Sequence, residues 1–198
     1  GCEVQEIPRV YGEKLQSPIP PKEIDRSAAK VKEVIVEEDE VDLSKLPIPV
    51  HNEMDGGPYL SAGVMVIRDP ESGKINAGIY RHQIFNRNEM GVWFLGAHHG
   101  GLIYKKYKNQ GKPAPIAIVI GHHPGFVMGA VSRLQGIGGE YEAAGALMGE
   151  PLELVKAETS DLLVPAHAEI VLEGVILPDR EQKEGPFGEW PGHYLGGG

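Results

Sequence analysis

The sequence predicts an α+β fold built on an antiparallel or mixed β-barrel, and three observations carry that prediction. About six short runs have strand character, and two or three segments between them have helical spacing. No βαβαβ alternation orders them, so a doubly wound parallel sheet is excluded. Glycine and proline, 27 and 16 of 198 residues, supply the turns and close backbone approaches that many short strands require.

Residues 1–48 read as an arm or linker and residues 49–198 as the folded domain. Pro18-Ile19-Pro20-Pro21 punctuates the arm, and a mostly acidic stretch runs from Glu33 to Asp42. Within it Val34-Ile35-Val36 has the composition of a short docking strand, and Leu46-Pro47-Ile48-Pro49 closes the segment. Tyr59 to Ile67 and Asn76 to Ile84 form two strands of a hairpin around the turn Asp69-Pro70-Glu71-Ser72-Gly73. Val92-Trp93-Phe94-Leu95 reads as a further short strand. His99 to Asn109 reads as a helix ending near Gly111, with Ile103 and Tyr107 four apart on one face. Pro115 to Gly121 is apolar throughout, the pattern of a strand buried on both sides. Glu140 to Leu147 reads as a helix stopped around Gly149. Leu152 to Lys156 and Ile170 to Ile176 are the last strands, joined through Val164-Pro165-Ala166.

Composition limits function. A net charge of −9 argues against sequence-independent nucleic-acid binding, although a local basic pocket for one phosphate stays open. Cys2 is the only cysteine, which excludes an intrachain disulfide and points to a reducing compartment. No apolar run reaches about 18 residues and no signal pattern opens the chain, so a cytoplasmic protein is expected. Gly1-Cys2 and Gly196-Gly197-Gly198 read as the cut ends of something longer.

The chemistry narrows by residue type. Gly136-Ile137-Gly138-Gly139-Glu140 lacks the Lys-Ser/Thr of a P-loop, and no strand feeds a dinucleotide fingerprint. It reads as a turn that places Glu140 at the positive end of a helix. His98-His99 and His122-His123 have no HExxH spacing or cysteine partner for structural zinc. One histidine joined by carboxylate and amide oxygen would still suit a harder ion such as manganese or magnesium. No GxSxG nucleophile exists. The polar groups left are Asn76, Arg81, His99, Glu140, Glu184 and Glu189. Asn76 and Arg81, five apart, face opposite sides of a regular strand unless the chain bends between them. Glu184-Gly185-Pro186-Phe187-Gly188-Glu189 excludes a regular helix and forms a shaped loop with two acids, a place suited to proton transfer.

Three separated strings, Asn76 to Arg81 (NAGIYR), Glu158 to Gly174 (ETSDLLVPAHAEIVLEG) and Glu184 to Glu189 (EGPFGE), closely resemble the UbiD family of decarboxylases. The resemblance covers roughly residues 48–194 and implies a split β-barrel of the FMN-binding type with flanking helices. It implies prenylated FMN as cofactor, supplied by a flavin prenyltransferase, with that flavin as the electrophile. Asn76, His99 and Glu140 match the residues that hold a divalent ion, usually Mn2+, against the flavin phosphate. A K+ ion bound by backbone carbonyls is implied without assignable ligands. Ile79, Tyr80, Arg81 and His98 join Asn76 and Glu140 as implied cofactor-binding positions. Arg81, Glu184 and Glu189 match the catalytic set: Arg81 orients the substrate carboxylate, Glu184 fixes Arg81, and Glu189 moves the proton. The implied reaction is reversible non-oxidative decarboxylation of an aromatic, heteroaromatic or α,β-unsaturated acid. The family's C-terminal domain is missing from this sequence, so a homo-oligomer or a missing-domain partner is expected. A cofactor-binding module inactive alone, or a flavin reductase of related fold, is the alternative.

Overall fold

A computed structural model describes residues 2–94, 96, 98–132, 136 and 138–195. In chain order the first half contains α1 (Ile7–Leu15), β1 (Lys22–Glu23), β2 (Tyr59–Leu60), β3 (Val64–Arg68), β4 (Ile75–Ile79), β5 (His82–Gln83) and α2 (His99–Asn109). The second half contains β6 (Ala114–Ile120), α3 (Pro124–Ala130), α4 (Glu140–Met148), β7 (Glu153–Lys156), β8 (Leu163–Pro165), β9 (Ile170–Ile176), β10 (Phe187–Gly188) and β11 (Tyr194–Leu195).

The centre is an antiparallel sheet in the order β4-β3-β6-β9. Its inner strands β3 and β6 are buried on both faces by their alternating side chains, whereas β9 at the edge is only half-buried. Val64, Val66, Ala77, Ala117 and Val119 point into the main core, with Phe126 of α3, Tyr141 and Ala144 of α4, and Leu154 and Val164 of β7 and β8. Met65, Ile67, Ile116 and Ile118 point the other way, onto Ile103 of α2 and Tyr80. The strands β1, β7 and β8 form a second sheet, and β2–β5 and β10–β11 form two-stranded ribbons. The fold is therefore mixed α+β. Among the described residues the hydrogen-bonded ladders do not join into a closed barrel, because β8 meets the central sheet through packed side chains and not through a ladder.

The helices start and stop where the sequence says they should. Gly139 precedes α4 with φ at 105°, a left-handed conformation that costs a side-chain-bearing residue, and Gly149 ends it the same way at 89°. The β3–β4 turn is tied to α2 by Lys106, whose Nζ lies 2.8 Å from the buried carboxylate of Asp69. No helix among the described residues is long and apolar enough to cross a membrane.

Several expected strands differ. Val34-Ile35-Val36 forms none and is exposed, paired with no strand among the described residues. The arm docks instead through β1, which runs parallel to β7 with Lys22 opposite Glu153. Ala29 is buried in the main core, and the nearly buried Lys32 ammonium lies 2.7 Å from Glu158. The run from Tyr59 to Ile67 breaks into β2 and β3, and that from Asn76 to Ile84 into β4 and β5, since β2 and β5 pair with each other away from the central sheet. Val92-Trp93-Phe94 makes no strand; Leu95 lies outside the described residues. Helices α1 and α3 have no counterpart in the sequence reading. The first is held by Lys14 Nζ, which donates to Leu147 O at 2.9 Å, and by Tyr11 OH, 2.6 Å from Ser132 Oγ.

His82 gives the fold a pH limit. It is fully buried and its ring nitrogens have no well-formed partner. Burial pushes its pKa down from 6.5 to about 4, with backbone contacts to Leu60 and Tyr80 opposing weakly. The unfolded chain therefore takes up a proton between those values while the folded chain does not. Stability is full above pH 6.5 and falls as pH drops toward 4, by about 3 kcal/mol in all. In acid denaturation series, His82→Leu should remove most of that slope between pH 6.5 and 4. An identical slope in both proteins would reject the assignment.

Candidate active site

The chain leaves the central sheet at Tyr80, and this bend brings Arg81 inward although Asn76 five residues earlier is also buried. Arg81 Nη2 donates to Glu184 Oε2 at 2.8 Å and Nη1 donates to Glu189 Oε1 at 2.7 Å. Both acids of the shaped loop thus converge on one guanidinium. Trp93 covers it, with the ring centroid 3.9 Å from Cζ, and Phe187 lies 5.2 Å away. Arg81 Nε is buried and has no partner. Arg81 and Glu184 are nearly closed to solvent, whereas the Glu189 side chain keeps 25% of its surface open.

The loop is pinned from behind by residues 52–59. Gly56 N donates to Pro186 O at 2.8 Å, and Gly188 N donates to Asp55 Oδ1 at 2.8 Å. A Cβ at Gly56 would run into the Gly185 carbonyl, so only glycine permits this approach. The ribbon β10–β11 continues the loop, and Met54 N donates to Tyr194 OH at 3.2 Å. Tyr59 and Gln83 complete the setting. The Tyr59 hydroxyl lies 2.7 Å from Glu184 Oε1 and 3.1 Å from Gln83 Oε1. Burial, and then the bond to Glu184, push the Tyr59 phenol well above its ordinary value, so it remains a donor.

A second polar pair lies on β4 and α4. Asn76 Nδ2 donates to Glu140 Oε1 at 2.7 Å, while Asn76 Oδ1 and Glu140 Oε2 are buried without partners. Burial pushes the Glu140 carboxyl up, and its contact with Asn76 only partly offsets this. Orphaned oxygens on both members of one hydrogen-bonded pair suit a hard cation, which would satisfy them and neutralise the carboxylate. His99 opens α2, half-buried, with no hydrogen bond to either residue. Among the described residues no three His, Cys, Asp or Glu side chains gather at ligating range, so a cation here depends on the Asn76 oxygen. Tyr80 OH accepts from Gly100 N at 3.1 Å and joins the end of β4 to the start of α2. Ile79 is partly exposed, and the His98 ring lies 6.2 Å from that of Tyr80.

The structure therefore joins Arg81 with Glu184 and Glu189, and Asn76 with Glu140. It also shows four residues that the sequence reading passed over: Tyr59, Gln83, Trp93 and Asp55. Only Gln83 left a trace, as an amide inside an otherwise apolar strand pattern.

Comparison with known proteins places the chain in a family. Residues 22–197 match the family model described as UbiD, 3-octaprenyl-4-hydroxybenzoate carboxy-lyase Rift-related domain. The chain is similar to the UbiD-class enzyme HmfF from Pelotomaculum thermopropionicum, solved with FMN, at 39% identity and a TM-score of 0.94 over 98% of this chain and 44% of that one. The vanillic acid decarboxylase of Sedimentibacter hydroxybenzoicus in its closed form is 37% identical, with a TM-score of 0.93 over 99% and 43%. The apo 3,4-dihydroxybenzoic acid decarboxylase of Klebsiella pneumoniae is 29% identical, with a TM-score of 0.92 over 100% and 43%. The chain spans less than half the length of these solved proteins.

Proposed function

The chain belongs to the UbiD family, and from that premise we propose that it carries the cofactor-binding and catalytic core of a reversible, non-oxidative carboxylic acid decarboxylase using prenylated FMN. The substrate class is an aromatic, heteroaromatic or α,β-unsaturated acid. One observation carries the reading: a buried Arg81 paired with two acids of one loop and left with an unpartnered Nε donor.

Arg81 receives the substrate carboxylate by a charge-assisted contact, and Glu184 fixes the guanidinium plane. The bond between substrate carbon and carboxyl group breaks, carbon dioxide leaves, and the electron pair left on carbon takes a proton from Glu189. In the carboxylating direction Glu189 removes that proton. Glu189 is the acid of the pair whose side chain keeps a quarter of its surface open, which gives it a route for proton exchange with solvent. Prenylated FMN, when bound, supplies the electrophilic centre that accommodates the developing negative charge.

Asn76 and Glu140, with His99, would hold a Mn2+ ion, and the two orphaned oxygens support this assignment. Ile79, Tyr80 and His98 would border the flavin. A K+ site, a cytoplasmic location, assembly into an oligomer and loading by a flavin prenyltransferase complete the proposal, as does the reading of residues 1–48 as a linker ahead of the domain.

Co-expression with a flavin prenyltransferase, followed by mass spectrometry, an absorbance spectrum and a carbon dioxide assay over a panel of aromatic and acrylic acids, tests it. Bound prenylated FMN with release from at least one acid is the expected result. NADH-dependent flavin reduction without release would sink it. The chain's span of less than half of its solved relatives favours one second reading, a cofactor-binding module inactive alone. Bound flavin with no release from any acid would select that reading.

A further inference from the structure

We infer that Tyr59 and Gln83 are positioning residues that lock Glu184 onto Arg81, so that the guanidinium is aimed before any ligand arrives. The inference deepens the proposed function and rests on its assignment of Arg81 and Glu184.

Gln83 is the joint. It lies on β5, two residues after Arg81, and is buried. Its Nε2 donates to Gly56 O at 2.8 Å, and its Oε1 accepts from Gly185 N at 2.9 Å. These two backbone partners fix the amide orientation and leave no polar atom idle. One side chain therefore ties the 52–59 segment, the acidic loop and the strand end bearing Arg81 into a single body. Gly185, the residue it grips, follows Glu184 directly.

Tyr59 acts on the carboxylate itself. Its ring is fully buried, 4.5 Å from the Phe187 ring, so the hydroxyl has little room to move. Glu184 then has one oxygen on the phenol at 2.7 Å and the other on Arg81 at 2.8 Å. A buried carboxylate held at both oxygens cannot rotate away from the guanidinium without leaving a charge unsatisfied. Among the described residues the Glu189 side chain has no such second anchor, and it is the more open acid. The two acids thus divide: one is fixed, and one is free to exchange its contact.

Trp93 reports on the lock without cofactor or substrate, because its ring lies against the guanidinium. The chain has two tryptophans, so Trp190→Phe leaves Trp93 as the sole emitter. In that background, acrylamide quenching of the full-length, flavin-free chain is compared among the parent, Arg81→Ala, Tyr59→Phe, Gln83→Met, Glu184→Gln and the Tyr59→Phe/Glu184→Gln pair. Arg81→Ala uncovers the ring and sets the upper reference. Tyr59→Phe and Gln83→Met should each raise the quenching constant about twofold toward that reference. Tyr59→Phe should add nothing once Glu184→Gln is present, since it acts through that carboxylate. Parent-like quenching in Tyr59→Phe, or full additivity in the pair, overturns the inference. Tyr59→Phe removes one atom, so it decides the matter even where Gln83→Met fails to fold.

In the flavin-loaded chain, Tyr59→Phe should lower kcat about ten- to hundredfold with KM changed far less, the mark of lost aim. The two readings fail separately. A chain that releases no carbon dioxide but passes the Trp93 test loses the decarboxylase assignment and keeps the lock. A chain that decarboxylates with Trp93 unmoved by Tyr59→Phe loses only the lock.

Discussion

Glu189→Gln should abolish carbon dioxide release while leaving flavin retention near that of the parent. The substitution keeps shape and one hydrogen-bond acceptor for Arg81 Nη1, now at 2.7 Å from Oε1. It removes the only group on the loop that is both against Arg81 and open to solvent for proton uptake. General acid–base groups contribute about 10²–10⁴ in rate, so the loss would stand clear of assay noise. Arg81→Ala should differ, because it strands Glu184 as a buried carboxylate without its cation and so costs stability as well as activity. The distinguishing measurement is single-turnover release alongside the flavin absorbance of the same sample and its melting temperature. Turnover within about threefold of the parent in Glu189→Gln would remove this residue from the proton path and leave the family membership untouched.

What could be read in the sequence, and what could not, follows from how each signal arises. The long, strongly patterned elements, α2, β6, α4 and β9, lie where periodicity and glycine stops put them. Their patterning is a property of their own residues. The ribbon β2–β5 exists only because its two strands meet from distant parts of the chain, and in β10–β11 each strand is two residues long, so neither leaves a local trace. Val34-Ile35-Val36 shows the converse, a β-branched triplet with strand propensity and nothing to pair with. The site divides in the same way. The two acids of the EGPFGE loop and Arg81 stood out by type and resemblance, and the structure gathers them. The residues behind them, Tyr59 and Gln83, look like ordinary strand members until the fold brings them within 3.1 Å of each other beside Glu184. Asn76 and Arg81 enter two separate polar clusters, and the end of β4 at Ile79 that puts Arg81 outside the central sheet has no sequence marker.

The orphaned oxygens of Asn76 and Glu140 lead to the second large effect. Adding Mn2+ to the flavin-free chain should raise its melting temperature, because a cation that binds only the folded site stabilises it by mass action. At about 100 times its dissociation constant the gain is about 2.7 kcal/mol, which for a chain of this size is about 5–10 °C. Glu140→Gln should cancel the rise. The same substitution should leave the metal-free melting temperature unchanged or higher, since Gln keeps an acceptor for Asn76 Nδ2 and no longer buries an uncompensated carboxylate. These two effects have opposite signs, and a residue with a purely structural role would show neither. Asn76→Leu separates the oxygen from the packing: it should also cancel the Mn2+ response, but lower the metal-free melting temperature by stranding Glu140 Oε1. Melting curves with and without Mn2+ for the three proteins decide the matter. A Mn2+ response in Glu140→Gln equal to that of the parent would place the cation elsewhere, and with it the phosphate end of the flavin.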